Sequence, residues 1–407
     1  MNPPIPGRLL FINRFYWPDE AATAQLLTDL AEGLAARGHR IAVIASHDGN
    51  PKTPRREIRR GVEIIRVSAT RWGQRRMAGK AIDYATFALA IRRTLRAEAR
   101  AGDRIVAMTD PPVLALIAAA AGRRTGAGTI HWLQDIHPEI SLTLSPSRLL
   151  ASLCRPWIRR RNAAWQRAEA CVAISGDMAA FVEENGVPAG QVRVIPNWAP
   201  GGNALVPLAH EQNLLRKQWG LEGRFVAAYS GNLGRVHVFG PLLAAAAALR
   251  DDPGIVFLFI GAGPQRETLE RQARLQGLNN VRFQPAQPQA RLAESLSAAD
   301  VHLVTLRPGC QRLVYPSKLY GIAAVARPLL YVGPLNCELA RTIQQGGFGI
   351  AVPDGDAASL AGALRFLQAD PAHRAVMGNA AAHWARATGG LAAAITRWEE
   401  LLGTALC

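Results

Sequence analysis

Phe225-Val226-Ala227-Ala228-Tyr229-Ser230-Gly231-Asn232-Leu233-Gly234-Arg235 is the stretch on which the reading of this chain turns. Its apolar run, Phe225–Tyr229, predicts a short buried strand. The chain then opens into the glycine loop Ser230–Arg235, and Pro241 leads into a helical pattern, Leu242–Arg250. Strand, glycine loop, helix is the layout that holds phosphate. Glycines let backbone N–H groups approach closely, a helix N-terminus favours negative charge, and Arg235 can make a forked contact. The plain alternative is a glycine-rich βα turn with a solvated arginine.

The same alternation extends in both directions. Downstream, strands are expected at Ile255–Ile260, Val281–Phe283, Val301–Leu306 and Leu329–Val332. Helices fall between them at Gln265–Leu275, Ala290–Ala298 and Pro316–Ala326, with a helical tail over Ala357–Leu402. Upstream, Arg8–Asn13 reads as a strand, and Ala24, Leu27, Leu30, Ala31 and Leu34 form a helical stripe that Gly38 ends. Strands follow at Ile41–Ala45, Val62–Val67, Arg104–Met108, Thr129–Leu133, Cys171–Ile174 and Val192–Ile195, with a long helix over Met77–Arg100. Such alternation implies parallel α/β sheets. Residues 199–210 lack periodicity and start Gly/Pro-rich, so they read as a linker between domains at 1–198 and 211–385. Two open sheets so joined leave a cleft, and ligands sit at the carboxyl ends of the strands.

Length and composition agree. The 407 residues allow two full cores, and 49% hydrophobic with 19% charged residues describes a globular chain. Cysteines 154, 171, 310, 337 and 407 are scattered, with no spacing suited to zinc or a disulfide framework, which suits a reducing cytosol. The N-terminus lacks the features of a signal peptide, and no apolar run approaches a membrane span. The net charge is +16, of which +11 lies before Ala199. A basic half seeks anions, whether nucleic acid, anionic lipid or a phosphorylated substrate; the alternative is a set of solvated arginine-rich faces.

Three further stretches carry chemistry. In Tyr315-Pro316-Ser317-Lys318-Leu319-Tyr320-Gly321, Pro316 starts a helix and places Ser317 and Lys318 in its first turn. A lysine there opposes the helix macrodipole, a conflict that a bound anion resolves. Asp354-Gly355-Asp356 resembles a metal-binding triplet, but it sits between a strand-like and a helical segment and reads as a turn and N-cap. Arg148–Arg167 carries six arginines and no acidic residue, with Leu149, Leu153, Trp157 and Trp165 able to form an apolar side. Trp157, Arg159, Arg160 and Arg161 are accordingly candidates for contact with an anionic membrane surface, the alternative being a surface helix that buries its Leu and Trp.

With these motifs in view, the chain resembles the retaining family 4 glycosyltransferases, in particular the subgroup that builds colanic acid, O-antigen and related exopolysaccharides. The likeness rests on Gly38-His39-x-Ile41-x-Val43, Val172-Ala173-Ile174-Ser175, Val194-Ile195-Pro196-Asn197, Tyr229–Arg235 and Pro316-Ser317-Lys318, and covers nearly the whole chain. It implies the GT-B fold: two Rossmann-like, doubly wound domains facing each other across a cleft, the first for the acceptor and the second for the nucleotide-sugar, with 386–407 crossing back to the first. It also implies that Ser230, Gly231, Asn232, Gly234, Arg235, Pro316, Ser317 and Lys318 bind the donor. Arg235 and Lys318 would neutralise the leaving diphosphate without a metal or other cofactor.

Asp135-Ile136-His137-Pro138-Glu139 resembles a segment of the same subgroup. Asp135 could accept the acceptor's proton or orient the donor sugar, with Glu139 a second candidate; the alternative is an Asp N-cap. Ala21, Ala22 and Thr23 take the place of the family's first glycine loop. Many members carry a pair of glutamates, the second binding the ribose. Here those positions fall near Leu313 and at Gly321, so Gln311 and Arg312 become candidates for the sugar side.

The implied partners are an NDP-sugar and a polyprenyl-diphosphate-linked or polysaccharide acceptor, which would bring the enzyme to the inner face of the cytoplasmic membrane. The rivals are an NDP-sugar 2-epimerase and a catalytically weak scaffold in a polysaccharide assembly complex. Nucleic-acid binding is unsupported by any motif.

Overall fold

The computed structural model describes residues 7–70, 72, 77–199, 201 and 205–404. Residues 1–6 of the N-terminal stretch weighed as a signal peptide, several linker positions and Cys407 lie outside the described residues. The chain divides into two compact units: unit 1 is Met1–Pro200 with Leu391–Cys407, and unit 2 is Gly201–Gly390.

Unit 1 is built on eight strands: β1 (Leu9–Ile12), β2 (Ile41–Ser46), β3 (Arg56–Arg59), β4 (Val62–Val67), β5 (Arg104–Ala107), β6 (Gly128–Trp132), β7 (Ala170–Ala173) and β8 (Val192–Val194), in the order β3-β4-β2-β1-β5-β6-β7-β8. All pairings are parallel except β3 with β4. Strands β1, β5 and β7 are buried throughout, as expected where helices cover both faces. Order reverses at β1, which pairs with β2 on one side and β5 on the other. The carboxyl ends of β1, β5 and β6 thus form the switch-point crevice where ligands of such sheets bind.

Unit 2 carries β9 (Phe225–Ser230), β10 (Ile255–Ile260), β11 (Val281–Gln284), β12 (Val301–Thr305), β13 (Leu329–Val332) and β14 (Gly349–Val352), all parallel, in the order β11-β10-β9-β12-β13-β14. Its switch point lies between β9 and β12, so the glycine loop and the end of β12 share a crevice.

Two boundaries differ from the sequence reading. Leu208 donates its N–H to Ser297 Oγ (3.0 Å) and accepts from Arg327 (3.0 Å), so the second half of the expected linker is fastened to unit 2. The return to unit 1 begins after Gly390 rather than at 386, because the Pro371–Ala387 helix stays in unit 2, where Trp384 stacks on Tyr320 at 5.6 Å. The Gly390–Thr404 helix then inserts Trp398 between Phe11 (6.1 Å) and Trp132 (5.4 Å) in the core of unit 1. Among the described residues, no helix is long and apolar enough to cross a membrane.

Candidate active site

The loop after β9 is held by backbone contacts to the loop after β10. Gly231 N–H donates to the Ile260 carbonyl (2.9 Å) and Leu233 N–H to the Ala262 carbonyl (2.8 Å). Gly263, at φ +148°, lies so close that a Cβ there would meet Leu233 N at 2.6 Å; only glycine supplies both the angle and the space. Gly261-Ala262-Gly263 went unremarked in the sequence, although a Gly-x-Gly directly after an apolar run was the signal for it.

Lys318 reaches this loop from the start of the Lys318–Ala324 helix, for which Ser317 is the N-cap. Its Nζ lies 3.4 Å from the centre of the Tyr229 ring, and a Cβ on Gly231 would stand 3.5 Å from it. The residue as a whole is half-buried, yet the Nζ is sealed from solvent and has no hydrogen-bond partner. Burial pushes its pKa well below the usual lysine value. Ser230 Oγ and Thr305 Oγ1, at the ends of β9 and β12, are likewise buried without partners. His237 is held neutral, its pKa lowered to about 3 by burial and by the Lys318 charge, and its Nδ1 is 2.6 Å from the Thr305 carbonyl. Two hydroxyls, a desolvated amine and a neutral imidazole around a glycine loop form a cradle suited to an anion.

The other donor-side candidates are spread around this cradle. Gly231, Asn232 and Arg235 are exposed and Gly234 is buried. The Arg235 carbonyl accepts from Arg307 Nε (3.1 Å), which ties the loop to the segment after β12. Gln311 spends its side-chain oxygen on the Gly309 N–H (2.8 Å), within its own turn; Arg312 is half-buried and Pro316 buried. A side chain at Gly321 would point at Leu296 and Leu205, which are apolar. Asp356 caps the Ala357–Ala369 helix by accepting from Ser359 N–H (2.9 Å).

In unit 1, Asp135 follows β6, its N–H donating to Thr109 Oγ1 (3.3 Å). Its surface is open to water, but the surrounding protein and the Asp110 carboxylate raise its pKa to about 6. Asp110 follows β5, where burial raises its pKa against the opposing pull of Arg14 and a hydrogen bond to Tyr84. Arg14, after β1, and Lys80 both lie over the Tyr84 ring, at 5.3 and 5.5 Å. Asp110, Tyr84, Arg14 and Lys80 escaped the sequence reading; only Asp110, at a strand end before proline, carried a local cue. Ala21 is the N-cap of the Ala22–Ala36 helix without a capping side chain, and its N–H is met by Asp19 (2.8 Å). Ala22 is exposed and Thr23 half-buried at the same helix start.

Two expectations for this unit are corrected. Glu139 is not an open carboxylate: both its oxygens accept from Arg161, each at 2.6 Å. Arg161 is not a surface cation: it is 2% exposed, donates also to the His137 carbonyl (2.9 Å), and lies over Trp165 at 4.0 Å. Trp165 is buried with it, which removes it from the expected apolar surface. Arg159 and Arg160 are exposed, and Trp157 is half-buried.

Two Rossmann-like sheets, each with a crevice at its switch point, are the architecture of the GT-B glycosyltransferases. Residues 22–198 match the glycosyl transferase 4-like domain, and residues 211–384 match glycosyl transferases group 1. The chain belongs to the family 4 glycosyltransferases. It is 26% identical over 381 residues to the putative colanic acid biosynthesis glycosyl transferase WcaI of Escherichia coli, covering 89% of this chain and 92% of that protein. It is 28% identical over 271 residues to the probable glycosyltransferase WbjE of Pseudomonas aeruginosa, covering 66% of each. Its fold matches Anabaena Alr3699/HepE, solved with UDP (TM-score 0.72, 16% identity, 98% of this chain and 100% of that one). It also matches WaaG, a glycosyltransferase involved in lipopolysaccharide biosynthesis (TM-score 0.68, 17% identity, 93% and 95%).

Proposed function

We propose that this glycosyltransferase moves a hexose or 6-deoxyhexose from an NDP-sugar to a lipid-linked or polysaccharide acceptor, with retention, in cell-surface polysaccharide biosynthesis, at the inner face of the cytoplasmic membrane. The observation that carries the donor assignment is the sealed, unpartnered Lys318 amine at the glycine loop. An anionic diphosphate supplies the partner that amine lacks, and Arg235 adds a second cation from the loop. Support for a nucleotide-sugar comes also from the fold relative solved with UDP, and for the pathway from the likeness to WcaI, a putative colanic acid biosynthesis glycosyl transferase. The direct test is transfer of labelled sugar from UDP-, GDP- and dTDP-sugars to a lipid extract, with the anomeric configuration of the product read by NMR. Donor hydrolysis alone, or epimerised donor in place of transfer, would reject the reading.

In this reading the two cations and the Ser230 and Thr305 hydroxyls stabilise the departing diphosphate, the task a divalent metal performs elsewhere. Activity is therefore expected to survive EDTA. Loss of activity that magnesium or manganese restores would return Asp354 and Asp356 to consideration as ligands.

Asp135 is the group we assign to the acceptor side, as proton acceptor or orienting carboxylate. Its raised pKa sets the sign of the pH response. Protonation as pH falls through about 6 removes the negative form, so kcat/KM is expected to drop on the acid side of that value. In Asp135→Asn the acid limb is expected to vanish along with most of the activity. An acid limb that persists in Asp135→Asn would assign it to another group.

A further inference from the structure

We infer that a groove between the Met77–Glu98 and Arg148–Gln166 helices of unit 1 holds the hydrocarbon chain of an amphiphilic acceptor, whose phosphate-bearing head lies at the Lys80 and His137 end. The inference rests on the reading of unit 1 as the acceptor half. The groove has a volume of about 650 Å³, within the range of sites that enclose most of a small ligand. Ala81, Tyr84, Ala85 and Ala88 share one face of the first helix and form a wall of mostly small side chains. Leu153 and Trp157, one turn apart on the second helix, form the opposite wall, and Pro111 and Pro112 also line the groove.

The surroundings select the occupant. Large apolar side chains stand in water on both helices: Leu149 at 71% and Leu153 at 69% exposure on one, Leu89 at 54% on the other. Around them Arg92, Arg93, Arg96, Arg155, Arg159 and Arg160 are exposed, and the Arg148–Gln166 helix has no acidic residue. A sugar phosphate alone has no use for apolar walls, and a neutral hydrocarbon none for the cations. Lys80 and His137 line the groove, and burial and the positive charges of Lys80 and Arg161, opposed by Glu139, hold His137 below its usual pKa. Asp110 beside it is engaged mainly by Arg14 and Tyr84, with Lys80 a lesser contributor. Apolar walls with one cation, Lys80, among them, next to the switch-point crevice that carries Asp135, match a chain with an anionic head. They would also place the sugar beyond that head near the carboxylate.

The probe is farnesyl diphosphate, added to the full chain below its aggregation concentration, with fluorescence of Trp157 as reporter and inorganic diphosphate as control. Wild type is expected to bind farnesyl diphosphate saturably and at least about tenfold more tightly than inorganic diphosphate. Ala85→Phe and Ala88→Phe are each expected to weaken it about tenfold, the effect of keeping roughly two methylenes out of the groove. Lys318→Ala, which disables the donor cradle, is expected to retain it. Farnesyl diphosphate binding unchanged in both groove variants, or binding no tighter than inorganic diphosphate, would each overturn the inference. UDP affinity measured on the same samples separates the two readings: its absence in wild type refutes the donor assignment and leaves the groove result standing.

Discussion

Lys318→Met is expected to weaken UDP binding by one to two orders of magnitude and, at the same time, to raise the thermal stability of the unliganded protein. The first effect follows from removing a charge-assisted hydrogen bond, about 1.5–3 kcal/mol. The second follows from the same burial. The Nζ is sealed from solvent, unpartnered, and shifted away from its charged form. The Tyr229 ring beneath it offsets only part of that penalty, since a desolvated cation–π contact returns about 2 kcal/mol while an unpaired buried charge loses several. A methionine of similar length carries neither charge nor donor. A lysine that served the fold alone would show the opposite pairing, with lower stability and unchanged affinity. Calorimetry with UDP and a melting curve with and without ligand read both effects.

A further signature belongs to wild type only. Because the free amine has a lowered pKa, binding a diphosphate beside it restores the charged form, so UDP binding is expected to take up protons at pH values between the lowered pKa and the usual lysine value. Calorimetry in buffers of different ionisation enthalpy measures that uptake. Arg235→Ala should also weaken binding, but by less, because its exposed side chain acts through water.

How much of this was legible in the sequence depends on whether the cause is local. Strands β9 and β10 are continuous apolar runs ended by Gly or polar residues, and β12 is interrupted only by His302, so burial on both faces could be read directly. Strand β3, Arg-Glu-Ile-Arg, could not: it is an antiparallel edge strand whose side chains alternate between exposed and half-buried, and its residues resemble a solvated loop. Lys318 and the glycine loop were each visible, but that the amine lies sealed over Tyr229 is a consequence of strand order. The Tyr84–Asp110 hydrogen bond joins a helix face to a strand end and has no sequence spacing to betray it. The inward turn of Arg161 and Trp165 on the basic helix was missed for a different reason. Charge was counted where periodicity should have decided: Trp157, Arg161 and Trp165 recur at intervals of one turn on a single face, and that face carries Arg161 and Trp165 inward.

The same face sets up the second large effect. Arg161→Ala is expected to destabilise unit 1 by about 3–5 kcal/mol, because it leaves the Glu139 carboxylate without its fork in a largely buried position. The loss extends beyond the ion pair. Arg161 also holds the His137 carbonyl, so it fixes the segment from Asp135 to Glu139 against the Arg148–Gln166 helix. Asp135 is therefore positioned through Arg161 without being touched by it. Removing one partner is more harmful than removing both, since two apolar groups of similar volume need no compensation. The double variant Glu139→Leu, Arg161→Met is accordingly expected to recover most of the stability lost in Arg161→Ala, as measured by denaturation of the full chain. Its activity then decides the role of Glu139. A folded double variant that retains the acid limb near pH 6 and a kcat within about tenfold of wild type makes Glu139 a positioning residue and leaves the proton to Asp135. A folded double variant with no turnover would instead put Glu139 in the chemistry, against the geometry that commits both of its oxygens to Arg161.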